Sequence, residues 1–473
     1  MCHWKSELND HYLCRVPAIP GQELCLLHSL EDKDPDAFLL ELQRQIDGLG
    51  VAEARNPAFD FTGYCFPVGI CIGSHRLPSR RVVLPERIEG DLMLTEAIVR
   101  GRVGLEGARI RGTLDCERLQ VSERFYATRC RVSGDVNLRG ATIGGTIHLG
   151  SGRIRGDLLC RALVVRGDLY MFGLHVGGDA YLHELVVDGT VHLDKAQVSG
   201  ALDASQAHIG ARWLSREARV EGKVDFSSAE VAGVFEFGES SVLQDASFER
   251  ATFLREASFE SADFHKKVSF AGSRFLSAVQ FEACQAHGVF LGMERPTIFP
   301  LARNRMGLEM NDPAGSESFW RFTRICFGKT GENARADAAH YFERVWRLKA
   351  AWKTRPSVGV LLRYAADVVF IRTTSAYGTS IPRALASWAG IQGGFAAIYA
   401  LNPGLLARAS QPTWSAQNWL ESLCFSVATF ATFGIGDVVP GSRIGAAVVA
   451  TEAALGAIAF AGMVVILMRK LVR

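Results

Sequence analysis

The sequence predicts a multidomain protein. It combines a four-sided β-coil of 11-residue units, a helical connector and an all-α membrane part with two spans and a short helix that enters the bilayer without crossing it. Three observations carry this reading. Gly90, Gly101, Gly112, Gly134, Gly145, Gly156, Gly167, Gly178, Gly189, Gly200, Gly222 and Gly233 fall on one ladder of step 11. Residues 444–468 form an apolar run whose single charge is Glu452. Ahead of that run, a short apolar segment ends in Thr432-Phe433-Gly434-Ile435-Gly436-Asp437.

In chain order, residues 1–50 read as a Cys/His segment followed by a helix. The start is polar and lacks the basic and apolar regions of a secretory signal, so the amino terminus is expected in the cytoplasm. The 11 cysteines are scattered singly, which suits a reducing compartment. Cys2, Cys14, Cys25 and His28 could supply three thiolates and an imidazole to tetrahedral Zn²⁺. The Cys25-x-x-His28 end has ligand spacing, and His3 and His11 stand close enough to compete. The alternative is a set of reduced thiols without metal. The stretch DPDAFLLELQRQIDGLG predicts an amphipathic helix, and residues 51–89 lead into the coil.

Residues 90–287 keep one phase. Apolar or small residues stand two, four, seven and nine places after each ladder position, as in Leu92, Leu94, Ala97 and Val99. Where the glycines stop, Phe248, Phe253, Phe259, Phe264 and Phe270 hold the phase in steps of five and six. A period this short excludes helical-repeat arrays, whose units run about 33–47 residues. Residues two apart share a face in extended chain, so each unit offers two inward pairs and two units make one four-sided turn. This pattern, with Ala two before the first four of those phenylalanines, resembles the pentapeptide-repeat β-solenoid. The resemblance implies a right-handed quadrilateral β-helix about 40 Å long with a dry core of Leu, Val and Phe. Some proteins of that family imitate the charge of DNA, but 23 Arg and Lys against 26 Asp and Glu over these residues is too balanced for that role. No nucleic-acid partner is expected, and the rod shows no catalytic pocket, so the protein is not expected to be an enzyme.

Residues 288–357 form the connector, with aromatic stripes at helical spacing that suit a packing face. Gly328-Lys329-Thr330 ends like a phosphate-binding loop, but Thr323 replaces its first glycine and no strand precedes it. Residues 358–380, with Arg363, Asp367 and Arg372, suit an interfacial amphipathic helix. The remainder, 381–473, divides into a span at 384–401, a short helix at 416–431, the glycine-rich stretch at 432–437 and a span at 444–468. Arg355, Arg363, Arg372 and Arg383 precede the first span and Arg469, Lys470 and Arg473 follow the second, so both termini should face the cytoplasm.

The stretch SVATFATFGIGDVVP closely resembles the pore of the two-span potassium channel family, whose filter reads Thr-Val-Gly-Tyr-Gly-Asp. The resemblance spans roughly residues 380–470 in the order span, re-entrant pore helix, filter, Pro, span. It implies that Thr432, Phe433, Gly434 and Ile435 present backbone carbonyls to K⁺, that Gly436 turns the chain and that Asp437 anchors the filter from behind. One chain carries one such strand, so three identical subunits are implied as partners in a homotetramer. Phe433 and Ile435 depart from the family's Val and Tyr, which alters what braces the carbonyls. Glu452, costly in lipid, should face the cavity or a neighbouring subunit. Gly456 resembles the family's inner-helix hinge; close packing of small residues is the other reading.

The sequence therefore predicts a homotetrameric cation channel, most strongly for potassium, in a plasma membrane that the resemblance makes bacterial. Its cytosolic rod would regulate the pore or bind an unknown partner. A weakly selective channel and a membrane-anchored scaffold with a vestigial pore are the rival readings.

Overall fold

An 11-residue step becomes half a turn of a parallel coil. A computed structural model describes the chain except for residues 1, 7, 9–13, 15–16, 53–58, 73–81, 291–308, 369–380, 409–418, 432–435 and 472–473. Its short strands stack at an offset of 22 residues: Leu92 lies beside Leu114, Leu114 beside Val136 and Val136 beside Leu158. The ladders make one 19-stranded and two 11-stranded sheets. Each turn satisfies the backbone of its neighbours. The Leu92 amide donates to the Thr113 carbonyl at 2.9 Å, and the Gln120 amide donates to the Ala97 carbonyl at 2.9 Å.

The inward positions are those of the sequence pattern, with Leu92, Leu94, Ala97 and Val99 fully buried. Burying such side chains is worth about 1.5–3 kcal/mol each for the larger ones. Toward the end of the coil the leucines give way to stacked phenylalanines. Phe226 and Phe248 have ring centroids 5.4 Å apart, Phe248 and Phe270 5.2 Å, and Phe259 and Phe281 4.8 Å. Outside, Tyr126, His148, Tyr170 and His192 make a second stack with spacings of 4.9, 4.5 and 4.5 Å.

The ladder glycines mark close approach between turns. A Cβ on Gly222 would lie 2.4 Å from the Gly200 carbonyl oxygen, and one on Gly178 would lie 2.0 Å from Asp157 Oδ1. That aspartate accepts the Asp179 amide at 2.8 Å, stitching one turn to the next. A different corner needs positive φ. It recurs every 11 residues from Glu96 (φ 56°) to Ala283 (φ 54°), and most of its occupants are not glycine. Turn-to-turn hydrogen bonding holds Glu, Arg, Ser and Lys there at a conformational cost of about 1 kcal/mol each.

The coil starts before residue 90. Phe59 pairs with Leu92, Cys65 with Ile98 and Ile70 with Val103, so the lead-in already belongs to the parallel ladders. Its first end is covered by aromatic residues and by helix α1 (Pro35–Ala52), whose Phe38 meets Phe66 edge-on at 5.5 Å. At the other end α2 (Pro313–Lys329) lays Phe319 and Phe322 on Phe281, each with centroids 5.2 Å away. Asp312 caps α2 by accepting the Gly315 amide at 2.7 Å. The aromatic stripe of this helix is thus the packing face that seals the coil.

The chain divides at Gly331 into two compact units. The second contains α3 (Asn333–Thr354), α4 (Val358–Ala366), α5 (Ile381–Leu401), α6 (Trp419–Phe430) and α7 (Arg443–Leu471). Ser357 caps α4, which leaves Val358, Leu361 and Leu362 exposed; 369–380 of the expected interfacial helix lie outside the described residues. Both α5 and α7 are long and apolar enough to cross a membrane. Ile444, Ile458, Phe460 and Val465 on α7 are at least 68% exposed, apolar surface left uncovered among the described residues.

Gly222→Ala should lower the melting temperature, because backbone of the adjacent turn cannot yield; a loss of about 2 kcal/mol or more is expected. Gly328→Ala on α2, where a Cβ meets nothing within 4 Å, should be neutral or stabilising by about 0.5 kcal/mol. Thermal unfolding followed by circular dichroism compares the two.

Candidate functional site

Helix α6 has 12 residues and reaches about 18 Å, too short to cross a bilayer. It packs against both α5 and α7. Phe425 meets Tyr399 of α5 edge-on at 5.3 Å, within a cluster that includes Leu406, Val448 and Val449. Phe430, at its end, faces Trp388 with centroids 6.1 Å apart. The chain then enters 432–435, the first four of the expected filter positions, which lie outside the described residues. The carboxyl end of α6 carries the partial negative charge of unpaired carbonyls, and it precedes that stretch directly.

Beyond it, Gly436 sits in open space, and Asp437 meets Arg408 with Nε and Oδ2 3.5 Å apart. The contact is fixed by an antiparallel strand pair in which Leu406–Arg408 lies along Val438–Pro440. The segment leaving the glycine-rich stretch is thereby tied to the segment that follows α5.

Glu452, which the sequence alone directs to a cavity or a neighbouring subunit, is instead fully enclosed by its own chain. Tyr399 Oη donates to Glu452 Oε2 at 2.6 Å. Ser426 Oγ, with one proton to give, faces both the Glu452 carboxylate and the Gln392 carbonyl. The carboxylate thus joins α5, α6 and α7 at one point. A buried carboxylate without donors would be expensive, which is why a hydroxyl comes from each neighbouring helix. Gly456, one turn later, is pressed against the end of α6: a Cβ there would lie 2.0 Å from the Phe430 carbonyl oxygen. That contact favours close packing over a free hinge. Tyr399 and Arg408 lie outside any motif in the sequence, and Ser426 opens the stretch SVATFATFGIGDVVP without being marked there as a donor. The general need of a buried charge for donors points to Tyr and Ser on adjacent helices, but only the fold selects these.

A second cluster lies at the amino terminus. The ligand atoms of Cys2, Cys14, Cys25 and His28 all fall within 4.8 Å of one another and all four residues are buried. His28 Nδ1 is 3.1 Å from Cys25 Sγ and 3.7 Å from Cys2 Sγ. Its Nε2 lies 3.3 Å from the Thr62 carbonyl, so Nε2 carries the proton and Nδ1 is left as the donor to a metal. Trp4 stacks on the imidazole at 4.5 Å and Tyr64 meets it edge-on at 5.1 Å. The Cys25 thiol is held well below the ordinary thiol range, first by its hydrogen bond with Cys14 and, against the opposing effect of burial, by His28, which favours the thiolate form that binds metal. These four residues can hold a metal ion. His3 is exposed and outside the cluster, and His11 lies outside the described residues.

Residues 237–285 match the family of pentapeptide repeats (9 copies), and residues 391–473 match the ion channel family. The chain therefore joins a pentapeptide-repeat β-solenoid to a two-span domain of the ion-channel family, and neither family is catalytic. No curated protein and no solved structure matches it.

Tyr399→Phe should destabilise the helical unit by about 1–3 kcal/mol, since Glu452 loses a donor and stays buried. Gly456→Ala should do so as well, by forcing α7 away from Phe430. Thermal unfolding of detergent-purified protein reads both.

Proposed function

We propose that the protein is a potassium channel formed by four copies of the chain, with residues 381–473 of each around a common axis. The observation that carries this reading is α6: a helix too short to span, held by both spans, which delivers its carbonyl end to residues 432–437. The backbone carbonyls of Thr432, Phe433, Gly434 and Ile435 replace the water around the ion, Gly436 turns the chain outward and Asp437 is held by Arg408. A single chain contributes one such strand, so a closed ring needs further copies. Their contact with each other and with lipid would cover the exposed apolar surface of α7. Both termini lie in the cytoplasm of a bacterium, and the solenoid serves as the regulatory or partner-binding module.

Phe433 and Ile435 favour a second reading, a pore that discriminates weakly among cations. Single-channel recording in planar bilayers with potassium on one side and sodium on the other separates the two. A reversal potential near the potassium limit, abolished with the current by Gly434→Asp, is expected. Reversal near zero would establish the weakly selective pore. A current unaffected by Gly434→Asp would remove residues 432–437 from the pathway.

We infer that the amino-terminal cluster binds one structural Zn²⁺, because three thiols and an Nδ1 oriented by a backbone carbonyl suit tetrahedral zinc. Zinc there would pin the segment around Cys2 and Cys25 to the first turn of the coil through Thr62. Metal analysis of purified protein should find one zinc per chain, lost in Cys25→Ser together with part of the thermal stability. Metal-free protein with unchanged melting would leave the cluster as packed thiols.

A further inference from the structure

Along much of the coil, opposite charges are matched from turn to turn. Arg161 meets Glu184 at 3.4 Å, Arg166 meets Asp188 at 3.2 Å, Lys195 meets Glu217 at 3.7 Å and Arg216 meets Glu239 at 2.7 Å. One basic column departs from this pattern over four successive turns. Arg87, Arg109, Arg131 and Arg153 are successive register partners in a single ladder, and His175 follows them. The four arginines are exposed, and among the described residues none makes an ion pair or a side-chain hydrogen bond. Rungs repeat every 4.7–4.9 Å or so, and like charges directly opposite one another destabilise a sheet. A plain spacer gains nothing from such a column.

The column borders a groove of about 610 Å³, which is also lined by Arg111, Arg155, Ser133 and Ser151. Among the described residues no aspartate or glutamate lines it. Glu89, the one-turn partner of Arg111, is engaged with that arginine at 2.5 Å. Gly173 in the same wall, where a Cβ would meet only Ser151 Oγ at 3.8 Å, leaves room for a ligand to approach the backbone.

We propose that this groove binds a soluble oligophosphate, a small molecule carrying several adjacent phosphate groups. Guanidinium is planar and always charged, and it grips phosphate oxygens in pairs. Four of them stacked at strand spacing form a row of positive charge that a compact polyanion can bridge with several phosphate oxygens at once. An extended acidic peptide fits worse, because its same-face carboxylates lie about 6.7 Å apart and carry their charge more thinly than the rungs do. A bilayer surface calls for a broad face with apolar side chains among the cations, and this site is a concave groove of small-molecule size.

Isothermal titration of the detergent-purified full chain with sodium tripolyphosphate tests the proposal. The comparisons are Arg109→Gln/Arg131→Gln and, as an equal loss of charge elsewhere on the coil, Arg250→Gln/Arg255→Gln. Wild type should bind saturably, and the groove variant should bind roughly tenfold more weakly or worse, while the control variant matches wild type. Without ligand, the groove variant should melt at the same temperature as wild type or higher, because two repelling charges are gone. Absence of binding by wild type would overturn the proposal, as would equal weakening in both variants or a lower melting temperature of the groove variant. A final arm places the protein in phosphatidylcholine nanodiscs with and without phosphatidic acid. Groove-dependent stabilisation by that lipid, with no response to tripolyphosphate, would overturn the soluble ligand in favour of the membrane surface.

Discussion

The solenoid depends on one constraint: each turn must satisfy the backbone of the next at a constant offset of 22 residues. With that offset fixed, the rest follows. Residues of one column meet residues of the same column, so apolar columns become a continuous core and phenylalanine columns become ring stacks. Where backbone passes closest to backbone, a side chain has no space, and the glycine ladder results. Where the path must bend through positive φ, stacking imposes the conformation even on Glu, Arg and Lys. The same constraint creates the molecule's chief liability, two open sheet ends. Each is closed by aromatic residues, α1 with its Phe38 at one and the Phe319–Phe322 face of α2 at the other. The Cys/His cluster belongs to the first closure, since His28 reaches the Thr62 carbonyl in the opening turn.

The helical unit obeys a different rule. Its three packed helices are joined at a buried carboxylate, with Tyr399 and Ser426 supplying the donors that Glu452 requires. An apolar contact between α6 and its neighbours would tolerate sliding. A charge that must keep its donors does not, and Gly456 fixes the same helix end from a second direction. The position of α6 is thereby over-determined, as suits an element that presents its carbonyl end to an adjoining stretch. The pair of Arg408 with Asp437 holds the exit of that stretch in the same way.

The coil was legible in the sequence because its rules repeat: a departure at one unit is outvoted by the others. The buried set at places two, four, seven and nine follows directly from spacing. The sequence marks 51–89 as a lead-in but not as part of the ladders, although the signal is present. Phe59, Phe61, Tyr64, Phe66, Ile70 and Ile72 stand in the same phase as the core columns, 33 residues before their partners, but without the glycines that drew attention to the later units. The positive-φ corner could not be read, because Glu96, Arg118 and Ser151 have no residue type in common. In the helical unit the spans and the short helix were legible from length and hydropathy, whereas the enclosure of Glu452 was not. Its donors lie 53 and 26 residues away, on elements whose packing no local pattern describes.

Column logic also changes where function is written in such a chain. In a compact enzyme a site gathers unlike residues from distant segments, and a motif or a perturbed group gives it away. In a coil of constant offset, one residue type repeated at an outward place becomes a stripe, and the stripe is invisible to any local window. Residues 90–287 of the coil are close to neutral, with 23 basic and 26 acidic residues, yet Arg87, Arg109, Arg131 and Arg153 stand in one line. Inward columns are bound by packing and corner columns by backbone geometry, so neither is free to carry a message. The outward columns are free. Against a background that matches charge across turns, an unmatched column costs stability that packing does not require, and it is there that a repeat protein of this kind records what it meets.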